Sequence, residues 1–374
     1  MVGYVVSILV VAIPTALAVA PLRGSWRLGQ ISWRLGMQIN EVPVVGMVWV
    51  VGDTAFAAWQ GSVTSPSGAT GLVLAVLTMA GLVVILARGL RARSAVSDAL
   101  AAGLGSSERV RVPLLRTVLA PLRVGRRDVV HRRNQGYGPA GRENLLDTYS
   151  PRNGEQNGAC LVYFHGGGYH TGEKDREARA LLYRLASQGW LCVSASYRRG
   201  RARRWPDALV DAHQVLAWTR AAAATGSASA PDVFVAGSSA GAHLAAVTAL
   251  TPAATPEGTG EPGVVAGAVC LYGFYDTPTW IDRDPDAPSS PLDLVGADAP
   301  AFLLAHGSLD SCAAVDGARA FAARLREVSR QPVVYVELPG GQHTFDLYAS
   351  PRFTAVIAGI EAFAASVRRR RPRR

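Results

Sequence analysis

Two adjacent serines lie in the sequence GSSAG, residues 237 to 241, and the second of them, Ser239, has the setting of a nucleophile. The residues before it, Asp232 to Ala236, are β-branched and aromatic as in a buried strand, whereas Ala240 to Leu250 are rich in alanine and leucine as in a helix. The G-x-S-x-G spacing is typical of a serine exposed on a cramped strand-to-helix turn. Alternatively, the segment is a small-residue turn that only joins the two elements.

A serine hydroxyl attacks well only when a histidine takes its proton and a carboxylate orients that histidine. His343 lies on a glycine-rich loop after the last predicted strand, and Asp310 follows the preceding strand. We therefore predict that Ser239, Asp310 and His343 form a catalytic triad. The competing carboxylates for the place of Asp310 are Asp276, Asp316 and Asp346.

The sequence HGGG, residues 165 to 168, directly follows another predicted strand. Consecutive glycines allow backbone N–H groups to approach a ligand, and such donors stabilise the negative oxygen of a tetrahedral intermediate. We expect the N–H groups of Gly167, Gly168 and Ala240 to form this oxyanion hole; a merely flexible glycine loop is the alternative. The motif residues expected to support these positions are His165, Gly166, Gly237 and Gly241.

Other kinds of site are not indicated by the sequence. The HGGG sequence lacks the G-K-[ST] ending of a phosphate-binding loop, and there is no H-E-x-x-H spacing, no nicotinamide fingerprint and no metal-ligand spacing of the cysteines. The formal charge of +10 arises almost entirely from arginine, since Lys174 is the only lysine, and the aromatic-plus-basic pattern of a nucleic-acid module is missing. We expect no cofactor, no metal and no nucleic-acid partner.

Short apolar runs alternate with helix-like segments from about residue 126 onward. The candidate strands are Asp128 to Arg133, Asn144 to Tyr149, Ala159 to Phe164, Leu191 to Ala195, Asp232 to Ala236, Val264 to Tyr272, Ala301 to Ala305 and Val333 to Glu337. Helical segments such as Asp175 to Gln188 and Pro206 to Ala224 separate them, which predicts a doubly wound, mostly parallel eight-stranded α/β sheet. Each motif above directly follows a strand, where ligands bind in such sheets.

The first 93 residues have the composition of a membrane region. Residues 1–20 and 71–87 are uncharged and apolar, and residues 42–59 are apolar except for Asp53, so we predict three transmembrane helices. Arginines follow the first and last runs, which by the positive-inside rule predicts a multi-pass protein with its C-terminal part in the cytoplasm. A signal peptide cleaved before Pro21 is the alternative for the first run.

Residues 94–125 would connect this region to a catalytic domain at residues 126–367, and residues 368–374 would form a basic, disordered tail. Within the connector, Val110 to Val124 mixes arginines with leucines and valines, which suits either a membrane surface or an ordinary packing segment. The basic tail could also touch anionic lipid.

The motifs YFHGGGY, SASYRR, WPDALVDAHQVLAW, GSSAGAHLA, HGSLD and GGQHTF together resemble the hormone-sensitive-lipase-like and related carboxylesterase branch of the α/β-hydrolases. The resemblance covers residues 126–367 and implies a cofactor-free serine esterase with an α/β-hydrolase fold. It implies Ser239 as nucleophile, Asp310 as acid and His343 as base, with the oxyanion hole at the three N–H groups named above. The sequence GSSAGAH is also similar to that of membrane-bound isoprenylcysteine methylesterases.

Two departures from the family pattern leave the substrate branch open. Ser238 and Ala242 stand where the G-D-S-A-G-G motif has its acid and its last glycine. The sequence YRRGRARRWP places arginines where the family has a mostly neutral turn. The triad residues themselves are in place.

Together these patterns predict a membrane-anchored carboxylic-ester hydrolase that cleaves a hydrophobic ester through an acyl-enzyme. The expected partners are a small-molecule or lipid ester and membrane lipids, and Thr277 to Pro291 would contribute a small cap over the pocket. Two alternatives stay open: an amidase or peptidase on the same fold, and a catalytically idle membrane scaffold.

Overall fold

The chain begins with helices and continues as alternating strands and helices in a computed structural model, which describes residues 2–22, 24–105, 110–200, 204–224, 230–251 and 265–371. The first helices are α1 (Val2–Val19), α2 (Trp26–Glu41), α3 (Pro43–Trp59) and α4 (Pro66–Leu104). A short helix, α5 (Leu114–Leu119), falls within the segment predicted to be either interfacial or a packing element. The surface of this helix and of the residues after it is apolar, since Leu115 and Leu122 are exposed.

The described strands form one eight-stranded sheet. They are β1 (Val129–Gly136), β2 (Leu145–Pro151), β3 (Ala159–Phe164), β4 (Leu191–Ala195), β5 (Asp232–Ser238), β6 (Gly267–Leu271), β7 (Ala301–Gly307) and β8 (Val333–Leu338). The order is β1-β2-β4-β3-β5-β6-β7-β8, with β2 antiparallel to β1 and β4 and every later pair parallel. The predicted mostly parallel α/β sheet is confirmed. The sixth strand was predicted to begin at Val264, which lies outside the described residues.

Helices cover both faces of this sheet. They are α6 (Arg179–Ala186), α7 (Asp207–Ala224), α8 (Ala240–Leu250), α9 (Pro291–Leu294), α10 (Val315–Val328) and α11 (Pro351–Arg370). Because side chains alternate along a strand, Tyr163 packs into the core shared with α6 and α11, whereas its neighbour Phe164 packs into the core shared with α7, α8 and α10. This burial on both faces explains why the central strands are continuous apolar runs.

The long helix α4 has two halves with different surroundings. From Leu72 to Val84 its outward side chains are exposed leucines and valines. Further along, Ala92, Val96 and Leu100 are buried in the core beside β8 and α11. Their spacing of four residues forms one apolar stripe on a helix, so residues 94–104 of the predicted connector are helical and packed on the sheet.

Among the described residues, α4 is the one helix that is long and apolar enough to cross a membrane. Helices α2 and α3 meet the same criteria only as a pair, with a bend of 83° between them, and α1 is shorter. The apolar runs predicted at residues 1–20, 42–59 and 71–87 therefore correspond to α1, α3 and part of α4. The helix α2, between the first two runs, was not predicted.

The first, third and fourth helices form a bundle. Helices α1 and α4 run parallel, because a Cβ on Gly71 would meet Tyr4 near the start of α1, while Arg88 donates a hydrogen bond to the carbonyl of Val19 at its end at 2.9 Å. Helix α3 runs the opposite way, since Thr54 near its end bonds Tyr4 at 2.9 Å. Helix α2, which joins the end of α1 to the start of α3, therefore lies across the end of the bundle that faces the sheet.

The first residues of the predicted basic, disordered tail, 368–370, are helical. Helix α11 continues to Arg370. Arg368 donates hydrogen bonds to Asp232 at 3.0 Å and to the carbonyl of Asn157 at 2.6 Å, which fixes it on the sheet. Residues 372–374 lie outside the described residues.

A buried ion pair joins α2 to α11. The side chains of Glu41 and Arg352 contact each other and are only 2% and 1% exposed. Ser350 donates a hydrogen bond to Glu41 at 2.7 Å, and Arg352 donates one to the carbonyl of Asn40 at 3.2 Å. Removal of one partner would leave the other charge buried and unpaired.

We predict that Glu41→Ala lowers the free energy of unfolding by about 3–5 kcal/mol, because Arg352 then loses its counter-charge in a dry environment. The double variant Glu41→Ala/Arg352→Met should recover part of the loss. Thermal unfolding in detergent, followed by circular dichroism, measures both. A double variant as unstable as the sum of the two single variants would contradict direct pairing.

Candidate active site

Ser239 lies on the turn between β5 and α8 in a strained backbone conformation. Its φ of 55° and ψ of −119° are unfavourable for any residue with a side chain. A Cβ on Gly237 would collide with the backbone of Gly241, and one on Gly241 would collide with the carbonyl of Phe164, so glycine is required at both positions. The N–H of Ser239 donates to the carbonyl of Leu271 at 2.9 Å, which fixes the turn on β6.

The loops after β5, β7 and β8 bring the three predicted side chains together. His343 Nε2 lies 2.9 Å from Ser239 Oγ, and His343 Nδ1 lies 2.7 Å from Asp310 Oδ2. The other oxygen of Asp310 accepts hydrogen bonds from the backbone N–H groups of Cys312 and Ala313, each at 2.8 Å. With its proton on Nδ1, the imidazole accepts from the serine and donates to the carboxylate.

The pKa values of Asp310 and His343 are shifted by burial and by the charge of the partner. Burial alone would raise the pKa of Asp310, but the charge of His343 and hydrogen bonds from His306 and His343 hold it well below its ordinary value. Burial likewise acts to lower the pKa of His343, yet the adjacent Asp310 raises it well above 6.5. Asp310 therefore stays ionised, and a proton taken up by His343 is stabilised.

The competing carboxylates lie elsewhere. Asp276 and Asp316 are exposed, and Asp316 pairs with Arg319 on its own helix at 2.7 Å. Asp346 is buried close to the site, but its hydrogen bonds go to hydroxyl groups. Of the four candidate acids, Asp310 is the one that contacts His343.

Asp346 links the serine turn to the loop that carries His343. Ser238 donates a hydrogen bond to Asp346 at 2.6 Å, and Tyr272 donates another to its second oxygen. Tyr163 donates to Ser238 at 2.8 Å. Ser238 stands where the G-D-S-A-G-G motif has its aspartate. In this chain the carboxylate next to the serine turn is instead that of Asp346, on the loop after β8.

The last two glycines of the HGGG loop leave their amide donors unused. Gly167 and Gly168 have φ angles of 120° and 63°, and a Cβ on Gly167 would collide with the carbonyl of Thr171. Among the described residues, no hydrogen bond is donated by the N–H of Gly167 or Gly168. Ala240 is the first residue of α8, where an N–H has no acceptor within the helix. All three predicted donors are therefore available to an oxyanion.

Buried side chains brace this loop. Gly166 donates its N–H to Glu177 at 2.6 Å, and burial, with Asp346 as a second cause, raises the pKa of Glu177 to about 7. His165 contacts the carbonyl of Gly166 through Nδ1 at 2.6 Å, and Tyr197 donates to the carbonyl of His165 at 2.7 Å. Burial lowers the pKa of His165 to about 4, so His165 acts here as a neutral donor rather than as a base.

The predicted cap segment, Thr277 to Pro291, lines a cavity beside the HGGG loop. The cavity has a volume of about 130 Å³. Its aromatic walls are Tyr169, Trp205 and Trp280, and His170 also faces it. Arg199 and Arg204 contribute to its rim but are engaged by acidic side chains.

Two side chains that touch the site were not predicted from the sequence. Glu177 belongs to no motif, and only the fold brings it to Gly166. Trp33 of α2 lies edge-on to the ring of His343, with centroids 5.5 Å apart, and donates its Nε1–H to Thr344 at 3.1 Å. The signal that could have revealed α2 is its stripe of small buried residues, Gly29, Ser32 and Gly36.

The raised pKa of Glu177 predicts a pH effect on stability. Because the folded chain binds this proton more tightly than the unfolded chain does, stability falls as pH rises from 4.5 to about 7. Glu177→Gln keeps an acceptor for Gly166 but cannot ionise, so we predict a gain over wild type that grows across this window to about 2–4 kcal/mol.

Thermal unfolding at a series of pH values measures this difference. Glu155→Gln, at an exposed carboxyl, is the matched control and should follow wild type at every pH. Parallel curves for wild type and Glu177→Gln would contradict the prediction.

Known proteins resemble this chain over different extents. The BD-FAE family profile matches residues 146–284. "Probable carboxylic ester hydrolase LipM" of Mycobacterium tuberculosis is 31% identical over 98% of this chain and 93% of its own length. "Esterase LipC" of the same organism is 37% identical over 66% of this chain and 67% of its own.

A solved structure resembles the sheet domain. A truncated carbohydrate esterase from gut microbiota is 18% identical, covers 64% of this chain and 96% of its own, and superposes with a TM-score of 0.52, which shows the fold. The similarity to LipM extends further, because 98% of this chain aligns and the N-terminal helices are therefore included. Fold, motif order and this relative together show that the chain belongs to the α/β-hydrolase carboxylesterases, in their hormone-sensitive-lipase-like branch.

Proposed function

We propose that this protein is a membrane-anchored serine hydrolase that cleaves carboxylic esters through an acyl-enzyme. The observation that carries this proposal is the hydrogen-bonded chain from Ser239 through His343 to Asp310. A buried imidazole–carboxylate pair is costly to form, and such pairs with perturbed pKa values concentrate at catalytic sites.

Acylation follows from this geometry. Ser239 Oγ attacks the carbonyl carbon of the ester while its proton moves to Nε2 of His343. The carbonyl oxygen becomes negative and accepts hydrogen bonds from the N–H groups of Gly167, Gly168 and Ala240. The bond to the alcohol oxygen then breaks, the alcohol takes the proton from His343, and the acyl group remains on Ser239.

Deacylation repeats these steps with water. His343 takes a proton from water as the water oxygen attacks the acyl carbon, and the same backbone donors stabilise the second tetrahedral intermediate. Collapse breaks the bond to Ser239, which regains a proton from His343, and the carboxylic acid leaves. Asp310 remains ionised throughout because its pKa is held so low.

The exposed surface of the N-terminal helices supports anchoring in a membrane. All but two of the exposed large hydrophobic side chains among the described residues precede residue 123. Examples are Val10 of α1, Val48 of α3 and Leu77 of α4, which are exposed on the sides of these helices away from the bundle core. Helices that are apolar on all sides suit a bilayer. We infer that α1, α3 and the first half of α4 cross it.

The arginines support an orientation. Arg27 and Arg34 of α2 and Arg91 and Arg93 of α4 lie at the end of the bundle that meets the sheet. Positive charges of short loops concentrate on the cytoplasmic side, so this orientation places the catalytic domain in the cytoplasm. The substrate that fits such a location is a hydrophobic ester that partitions into lipid.

We predict that the detergent-solubilised full chain hydrolyses p-nitrophenyl esters in a series from acetyl to palmitoyl. Ser239→Ala should lower kcat by about 10³–10⁶-fold, because alanine has no hydroxyl group to form the acyl-enzyme. Ser238→Ala, next to it, should stay within about tenfold of wild type, since it loses only the hydrogen bonds of its hydroxyl group with Asp346 and Tyr163. A fluorophosphonate adduct on Ser239, located by mass spectrometry, is the direct readout.

Three results would count against the proposal. Equal rates for wild type and Ser239→Ala would remove this serine as nucleophile. Faster turnover of the matched anilides would favour the amidase, and a chain that neither hydrolyses esters nor reacts with the fluorophosphonate would favour the idle scaffold.

The pH profile provides a second prediction. The value of kcat/KM should rise with pH as His343 loses its proton, and because Asp310 raises the pKa of His343, the half-maximum should lie above pH 6.5. Asp310→Asn removes that negative charge, so it should move the half-maximum to lower pH and reduce kcat by about 10³–10⁴-fold. An unmoved half-maximum in this variant would contradict the pairing of Asp310 with His343.

A further inference from the structure

Helix α2 packs directly against the loop that carries Asp310. Gln30 donates a hydrogen bond to the sulfur of Cys312 at 2.9 Å, and Ser311 donates one to the carbonyl of Gly29 at 2.9 Å. A Cβ on Gly29 would collide with the carbonyl of Ser311, so the helix reaches this loop only because residue 29 has no side chain.

The same helix packs against the loop that carries His343. Trp33 contacts the imidazole ring and donates to Thr344, and Met37 accepts a hydrogen bond from Thr344 at 3.4 Å. Thr344 has a φ of 63°, which costs free energy in a β-branched residue and persists only where neighbours hold it. Helix α2 therefore supports both loops on which the hydrogen bond from His343 to Asp310 depends.

The opposite face of α2 is exposed in the described part of the chain. Its exposed apolar side chains are Leu28, Ile31 and Leu35. Arg27 and Arg34 are exposed on the same helix and form no ion pair within the described part of the chain. Apolar side chains flanked by arginines, whose aliphatic stems lie along lipid while their charges reach phosphate, are typical of helices at a membrane surface.

The position of α2 fits this composition. It lies across the end of the bundle, at 83° to α3, between the apolar helices and the catalytic loops. If α1, α3 and the first half of α4 cross a bilayer, a helix at that angle lies in the headgroup layer.

We propose that the outer face of α2 is seated in the anionic leaflet next to the catalytic domain, and that this contact holds the Asp310 and His343 loops in their active geometry. The proposal rests on the proposed function for the role of those loops. The arginines favour lipid over a second copy of the chain, because a symmetric contact would set Arg27 and Arg34 against like charges, whereas lipid phosphate complements them.

The first test reads lipid contact without catalysis. The full chain carrying Ile31→Cys, labelled with an environment-sensitive fluorophore, is reconstituted into phosphatidylcholine vesicles that contain phosphatidylglycerol and a headgroup-level nitroxide lipid. We expect strong quenching at residue 31 and little at Val210→Cys, an exposed apolar position on α7 that shares any background label at Cys312. Equal quenching at both positions, or disulfide-linked dimers through residue 31 without quenching, would overturn the proposal.

The second test measures whether the lipid contact of α2 affects the loops that carry Asp310 and His343. Its substrate is a water-soluble acetyl ester, which reaches the site without partitioning into the membrane. In these vesicles Ile31→Asp should lower kcat about tenfold with little change in KM, because a carboxylate is repelled by an anionic, partly apolar layer. Val210→Asp should match wild type. Equal kcat for Ile31→Asp and wild type would overturn the coupling.

Substitutions of two glycines test whether the contact of α2 with the Asp310 loop affects catalysis. Alanine favours a helix at both positions, but Gly29→Ala must push α2 away from Ser311, whereas a Cβ on Gly52 of α3 meets nothing within 4 Å. We expect about tenfold lower kcat for Gly29→Ala and no change for Gly52→Ala. Equal rates would overturn the coupling. If wild type neither hydrolyses the ester nor reacts with a fluorophosphonate, the proposed function fails, and quenching at residue 31 still decides the lipid contact.

Discussion

The buried hydrogen bond between His343 and Asp310 is the interaction on which the rest of the site depends. Neither residue belongs to a helix or a strand. The bond therefore requires that the two loops leave the sheet at the same level, side by side. Strands β7 and β8 provide this, because they are parallel neighbours whose last paired residues are Gly307 and Leu338. Backbone donors to Asp310 and the packing of Trp33 on His343 then replace the water that both groups lose. Without such replacement, the free energy lost by removing both charges from water would exceed the free energy gained from their attraction.

The turn that carries Ser239 meets a second condition, since a residue in a strained backbone conformation must be held by its surroundings. The hydrogen bond from Ser239 to β6 holds the backbone, and Asp346 holds the neighbouring hydroxyl. Glu177 holds the HGGG loop in the same way from the other side. A buried polar network of this kind stabilises one arrangement strongly when every member is paired.

The sheet, and the residues that the structure brings together at its edge, could be predicted from sequence, because buried parallel strands are continuous apolar runs and each motif directly follows one. Glu177 and Trp33 could not, since their contacts are created by the fold and no local pattern marks them. Helix α2 was missed because its arginines resemble a charged loop after a membrane span. The end of α4 was missed because Arg88, Arg91 and Arg93 interrupt the apolar run, although every fourth residue continues the buried stripe.

The continuity of α4 has a consequence for dividing the chain. Ala92, Val96 and Leu100 belong to the same core as Val334 and Phe353, so the boundary between the N-terminal helix bundle and the sheet domain lies inside a helix. A water-soluble fragment that began at residue 110 would leave the flank of β8 without its cover, and each uncovered large side chain would lose about 1.5–3 kcal/mol. A fragment that began before Ala92 would keep that cover. It would still lack α2, and with it the contacts on the loops that carry Asp310 and His343.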